Sequence, residues 1–340
     1  MTSPAVLFAA PFSFIAALVL TPLVRRFAVR TGYIDHPAPR KHHPEPTPLL
    51  GGVAVAAALI AGPLLARLVA GVDVAWPRAG VLCGAALSLG LGLVDDRHPM
   101  RPLGKLLGQI AAALLLVFWG ARGGPLAQHP LWAIAAIIGV VALLNAINFL
   151  DAMDGIVAAV VPVAAAGFLA LALLFGADVD QALGWALIGA GAGFLVYNAP
   201  PARIFLGDAG SHLLGFALAA LALEALDDSL TLPHVVAVLC ILSYPLFDVI
   251  FVTWDRLAGR RPIAVGSTDH STHRLGRICG RWGTVALISA VVTATTALGV
   301  GVWNAKNSTI SLAAVSILGL GYAVFGTYLR RKRPTPLFDT

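Results

Sequence analysis

Residues 130–155 read PLWAIAAIIGVVALLNAINFLDAMDG, and this stretch settles both the class of chain and where its chemistry gathers. From Pro130 to Leu144 no side chain is charged or carries an amide. A bilayer span takes roughly 17 to 25 mostly apolar residues, and 130–149 supplies one. Polar groups then arrive at its end: Asn145, Asn148, Asp151 and Asp154, each three residues after the last, so that neighbouring members lie on adjoining helix faces. Gly155 permits a sharp change of direction after Asp154. A helix end needs one Asn or Asp as a cap. Four of them, two amides and two carboxylates, point to a site at the membrane surface.

The same apolar pattern recurs along all 340 residues. The chain is 58% hydrophobic and 12% charged, where soluble domains carry about 25% charged residues, so a soluble globular protein is excluded. Eleven segments read as spans: 4–24, 50–70, 79–95, 105–121, 130–149, 155–175, 182–198, 211–226, 233–254, 283–303 and 309–329. The expected fold is an all-α polytopic membrane protein of about eleven helices, one integral membrane domain over 1–340. With the N-terminus outside and the C-terminus cytoplasmic, every Lys and Arg except Arg67, Arg78, Arg122 and Lys306 falls on the cytoplasmic side, as the positive-inside rule requires. The first apolar stretch has no basic residue before it and no cleavage pattern after it, and reads as a retained span. The net charge of +6 fits orientation and anionic lipid better than nucleic acid, which is not an expected partner. Cys83, Cys240 and Cys279 have no metal-ligand spacing and read as free thiols.

Four further groups stand on the expected cytoplasmic side. Asp95 and Asp96 close the third segment, where adjacent like charges need either full solvation or a cation. Asp208 sits between glycines in Phe205-Leu-Gly207-Asp208-Ala-Gly210-Ser211, at a helix start whose free N–H groups can meet phosphate oxygens. Carboxylates gathered beside such backbone are the ingredients of a Mg²⁺ site shared with substrate phosphates. The Pro-rich run from Asp35 to Pro48, with Arg40, Lys41 and His43, and the run Asp269-His270-Ser-Thr-His273-Arg274-Leu275 add bases suited to phosphate. A transporter of an anionic substrate would also gather charge on one face, but it would place ionisable groups near mid-membrane. Here they are nearly absent from the middles of the spans.

In this order, the Arg40-Lys41-x-His43 segment, the Asp95-Asp96 pair, the 145–155 run, Asn198-Ala-Pro-Pro-Ala-Arg203-Ile-Phe205-Leu-Gly-Asp208, Pro245-Leu-Phe-Asp248 and His270-x-x-His273-Arg274 resemble the polyprenyl-phosphate N-acetylhexosamine-1-phosphate transferases. The likeness runs from about residue 35 to residue 275, leaving a basic tail at 330–340. It implies a multi-pass enzyme of a bacterial inner membrane with a cytoplasmic active site. The implied reaction takes a UDP-sugar, most closely UDP-N-acetylglucosamine, and undecaprenyl or decaprenyl phosphate to polyprenyl-diphosphate sugar and UMP, with Mg²⁺ as cofactor and Mn²⁺ able to replace it. Another UDP-amino sugar or UDP-MurNAc-pentapeptide is the alternative donor, and a homodimer is a candidate assembly.

The resemblance also distributes roles. Asp208, with Asp96, Asp151 and Asp154, would hold the metal. Asp95, Asp96, Asp208, His270 and His273 would be catalytic. Asn145, Asn148, Asp151, Asp154, Asn198, Arg203, Phe205 and Arg274 would bind the nucleotide sugar, and Asp95, Lys105, Arg40 and Lys41 the lipid phosphate. Members of the family commonly carry His-x-His-His where this chain has His270-Ser271-Thr272-His273. A histidine at 272 is therefore expected to be tolerated and to change sugar preference.

Overall fold

A computed structural model describes residues 4–37, 45–71, 77–120, 128–227, 230–261 and 269–331. Arg40, Lys41 and His43 of the Pro-rich run, and the tail from Lys332, lie outside the described residues. Among the described residues the elements are helices, joined by loops, and one two-residue antiparallel ribbon, Ile34–Asp35 with Thr47–Pro48. The helices are α1 Ala9–Thr31, α2 Gly51–Ala70, α3 Ala79–Arg97, α4 Pro102–Leu115, α5 Pro130–Leu150, α6 Ile156–Phe175, α7 Gln181–Asn198, α8 Gly207–Asp227, α9 Leu232–Ile241, α10 Ser243–Ala258, α11 Ser271–Ala305 and α12 Ser308–Arg331. A π turn, Leu116–Gly120, continues α4.

All eleven expected segments fall on helices. Among the described residues nine helices are long and apolar enough to cross a bilayer, and the pair α9 and α10, bent by 74°, makes a tenth. The exception is α7, whose Gly184, Gly189, Gly191 and Gly193 and polar ends Gln181 and Asn198 dilute its hydropathy. The bend has a local cause. Pro245 lacks an N–H, and its ring would strike the Ile241 carbonyl if the helix ran straight on. A second break lies in α11 at Gly280, with φ 73°, so a basic helical segment, 271–279, precedes the spanning part.

The centre of the bundle is α8, buried along nearly its whole length, as expected of a helix apolar on every side. It meets α3, α5 and α2. Small residues allow backbones to approach closely: a Cβ on Gly92 would overlap the Ala209 backbone, and one on Gly52 would overlap Gly210. At the periphery, α12 exposes Leu312, Ile317, Leu320 and Val324 by 58% to 69%. Such a face is stable against lipid and not against water.

Candidate active site

The N-terminus of α8 is the hub. Asp96, near the end of α3, accepts hydrogen bonds from the Asp208 N–H (2.8 Å) and the Ala209 N–H (3.1 Å), which satisfies two of the free donors of that helix end. The close approach at Gly92 brings these two ends together. Asp208 points its carboxylate at Lys105 of α4, whose Nζ lies 2.6 Å from Asp208 Oδ2 and 2.8 Å from Asp95 Oδ2. The other oxygen of Asp208 accepts from Asn148 Nδ2 at 2.8 Å, and the same amide donates to Ser211 Oγ at 3.0 Å. Asp95 is oriented in turn by the Met100 N–H at 2.6 Å. One ammonium thus sits between two carboxylates supplied by α3 and α8, with the Asn148 amide of α5 beside it.

A cavity of about 570 Å³, within the usual size of a small-molecule site, opens onto this hub. Five carboxylates line it: Asp35, Asp96, Asp151, Asp154 and Asp208. Asp151 lies in the connection after α5. Burial first, and then the neighbouring Asp208, Asp96 and Asp154, push its carboxyl well above the usual carboxylate range. Asp154 accepts from the Ala202 N–H (3.1 Å) and is approached by Arg281 Nη1 (3.5 Å). Asn198, Phe205, His273, Arg277 and Arg281 complete the polar and aromatic lining. The wall carrying Phe205 is held in place by backbone bonds: Phe205 N–H to Pro48 O (2.8 Å), Gly51 N–H to Phe205 O (2.9 Å) and Gly52 N–H to Leu206 O (2.8 Å).

The donor set suits a hard divalent cation. No three acidic, histidine or cysteine side chains among the described residues stand close enough to enclose a metal by themselves. Mg²⁺, however, is ordinarily held by one or two carboxylates, with substrate phosphates and water completing the shell. Asp208 and Asp151, both on the cavity wall, meet that requirement.

Several expected ligands are placed otherwise. Asn198 is on the cavity wall but only 3% exposed, and its amide also bonds to backbone, accepting from Gly155 N–H at 3.0 Å and donating to Ile204 O at 3.0 Å, so it holds together the two turns that frame the cavity. Asn145 lies one turn deeper than Asn148, in a reciprocal amide pair with Gln109 (2.8 and 3.2 Å). Arg203 is exposed and is not part of the cavity wall. Arg274 is 4% exposed, with Nη2 2.5 Å from Asp255 and its guanidinium over the Phe251 ring, so it anchors α11 to α10 and does not reach the cavity. The bases that do line it, Arg277 and Arg281, follow one and two turns later on α11. They were legible only as charge in a basic connection, because the helical phase that turns them inward depends on how α11 docks. Gln109 and His212, 3.0 Å apart behind Asp208, were also not singled out by sequence.

The histidine run divides. His273 lines the cavity. His270 is buried, with Nδ1 2.9 Å from Asp248 Oδ2, and the other oxygen of Asp248 accepts from the Ser271 N–H and hydroxyl at 2.8 and 2.5 Å. Asp248, a motif residue without an assigned role, is therefore the anchor of this run. The Thr272 side chain is fully buried and its hydroxyl has no hydrogen-bond partner. An imidazole there must displace packed neighbours, at a cost of about 1–3 kcal/mol, so the expectation that Thr272→His is tolerated is corrected: that variant is expected to be destabilised. His273→Ala is expected to lower kcat/KM about tenfold with thermal unfolding unchanged, the loss of one charge-assisted hydrogen bond. His270→Ala is expected to lower the unfolding temperature as well, because it strands a buried carboxylate. Activity and unfolding curves on the two variants separate the roles, and identical behaviour of both would refute the division.

The profile described as glycosyl transferase family 4 matches residues 78–226. A Bacillus subtilis protein, described as a probable undecaprenyl-phosphate N-acetylglucosaminyl 1-phosphate transferase, is 31% identical over 276 residues, covering 77% of this chain and 75% of that one. The chain belongs to glycosyl transferase family 4. It is also similar to the decaprenyl-phosphate N-acetylglucosaminephosphotransferase of Mycolicibacterium smegmatis, 31% identical over 294 residues (76% of this chain, 72% of that one). The phospho-N-acetylmuramoyl-pentapeptide-transferase of Desulforudis audaxviator is 33% identical over 330 residues (84% and 96%). The family 4 match runs from the start of α3 almost to the end of α8. It takes in Asp95, Asp96, Lys105, the 145–155 run and Asp208. The histidine run and the two inward arginines of this transferase lie beyond it.

Proposed function

We propose that this family 4 transferase moves N-acetylglucosamine 1-phosphate from UDP-N-acetylglucosamine to a polyprenyl phosphate at the cytoplasmic face of the membrane. The observation that carries the reading is the carboxylate-lined cavity walled by Asp208, which is ion-paired to Lys105 and through it to Asp95, joined to the names of the relatives. An oxygen of the lipid phosphate bonds to the phosphorus next to the sugar. The bond from that phosphorus to the UMP oxygen breaks, and UMP leaves with the electron pair. One phosphoanhydride replaces another, so the exchange is nearly balanced. A phosphate monoester at neutral pH is already an anion, and direct attack needs no covalent phospho-enzyme.

Both reactants are anions, and catalysis rests on neutralisation and positioning. Lys105 supplies the cation nearest the hub, and Asp95 and Asn148 hold it and Asp208 in place. His273, Arg277 and Arg281 face the donor diphosphate from α11, and Phe205 offers a ring to uracil. Asp208 and Asp151 would hold Mg²⁺, which supplies charge stabilisation on the phosphate oxygens.

The test is the purified protein with a polyprenyl phosphate and a panel of UDP-sugars, reading UMP and the lipid product. UMP release with UDP-N-acetylglucosamine, abolished by chelator and restored by Mg²⁺ or Mn²⁺, is expected. The Desulforudis likeness, which covers 96% of that chain, makes UDP-MurNAc-pentapeptide the informative competitor. Release with that donor alone would replace the sugar assignment, and release with none would refute the reading. The cytoplasmic placement has its own check. Reporter fusions should find the N-terminus outside and the C-terminus inside, and both ends on one side would overturn it.

A further inference from the structure

A second cavity, about 530 Å³, lies between the bent pair α9/α10 and α12 and shares no lining residue with the first. Its walls are apolar: Leu239, Phe247, Ile250 and Trp254 on one side, Val315 and Leu318 on the other. On α12 it runs from Val315 to Thr327, about 18 Å at 1.5 Å per residue. That is close to one leaflet of hydrocarbon, half of the roughly 30 Å core. At its end Trp254 and Thr327 line a further notch of about 340 Å³ together with Arg330 and Arg331. Groove and notch share two residues and form one continuous amphiphilic surface.

The basic end is built rather than incidental. The Arg330 guanidinium stacks 4.4 Å above the Trp254 ring, and its Nε donates to Asp255 Oδ1 at 3.1 Å. Asp255 also holds Arg261 (2.7 Å) and Arg274 (2.5 Å), while Asp269 meets Arg256 (3.6 Å) and Arg261 (2.7 Å). Arg331 adds an exposed guanidinium. Four arginines thus meet two aspartates, and with Arg331 beside Arg330 in the notch this end of the groove carries a positive surplus where a lipid headgroup would lie.

We propose that the groove holds one anionic phospholipid of the bilayer, with an acyl chain along α12 and the phosphate at Arg330 and Arg331. The polyprenyl phosphate substrate is a poorer occupant, because its phosphate must reach Lys105 and Asp208 on α4 and α8, not the end of α12. The inference needs only a membrane and does not rest on the transferase reading.

The experiment is native mass spectrometry of the full chain released from nanodiscs containing equal phosphatidylglycerol and phosphatidylcholine. Wild type should retain one phosphatidylglycerol in preference to phosphatidylcholine. Arg331→Gln should reduce that preference about fivefold, the effect of one arginine near an anionic headgroup. Gly319→Leu, where a Cβ meets open space within the groove, should lower retention of both lipids without unfolding the chain. Equal retention of the two lipids by wild type would overturn the proposal. So would a phosphatidylglycerol preference that neither variant changes, or displacement of the retained lipid by stoichiometric polyprenyl phosphate.

Discussion

Asp208→Asn is expected to lower turnover by at least about a thousandfold, the upper range for losing one preorganised electrostatic group, while the protein still folds. The replacement preserves shape and removes charge. It also breaks a specific pattern: Asp208 now accepts from Lys105 on one oxygen and from Asn148 on the other. An asparagine can turn its single carbonyl toward one of these donors and must present an NH₂ to the other. The hub therefore loses both its fixed geometry and a hard oxygen donor on the cavity wall. The backbone of residue 208 keeps its bond to Asp96, so the α3–α8 junction should survive. UMP release and thermal unfolding on the purified variant decide the matter. Turnover within about tenfold of wild type, in a folded protein, would remove Asp208 from the chemistry.

Lys105→Gln is expected to cost about a hundred- to a thousandfold in kcat/KM and to lower stability in addition. Its ammonium stands 2.8 Å from Asp95 and 2.6 Å from Asp208. Removing it leaves two partly buried carboxylates facing one another without a cation between them. Solvent reaches the group, with Lys105 and Asp208 side chains 20% and 32% exposed, so screening keeps the folding penalty below that of a fully buried pair. Lys105→Arg distinguishes charge from geometry. It restores the positive charge, but its planar fork cannot sit between two carboxylates as a compact ammonium does. Stability should return to near wild type and activity only in part. If Lys105→Gln turned over normally once its stability was allowed for, Lys105 would be a structural counterion and the neutralising role assigned to it would be wrong.

Thr272 and Arg274 mark how far residue type alone can be read. Both sit in a run rich in phosphate-binding side chains, and both were expected near the sugar or diphosphate. The docking of α11 turns Thr272 into packed chain and ties Arg274 to Asp255, while Arg277 and Arg281 reach the cavity. A pattern of bases in a connection gives their number and not their direction.

The amino-acid sequence by itself determined the membrane class, the helical segments and the order of polar runs at their ends. These depend on local quantities: the length of an apolar stretch against bilayer thickness, and the spacing of polar groups along one helix. It did not show the bend of the ninth span, read as one straight segment over 233–254: Pro22, Pro63 and Pro162 lie inside unbroken helices, so Pro245 is no bend signal by itself. Tertiary structure alone decided which runs meet. Asp96 caps the helix that bears Asp208 because glycines let α3 and α8 touch. Lys105, paired with Asp95, reaches Asp208 across 103 residues of chain, and Asn198 ties two turns of the cavity wall together through backbone. Each of these depends on contacts between helices remote in sequence, where the partner of a charge is set by packing and not by its neighbours along the chain.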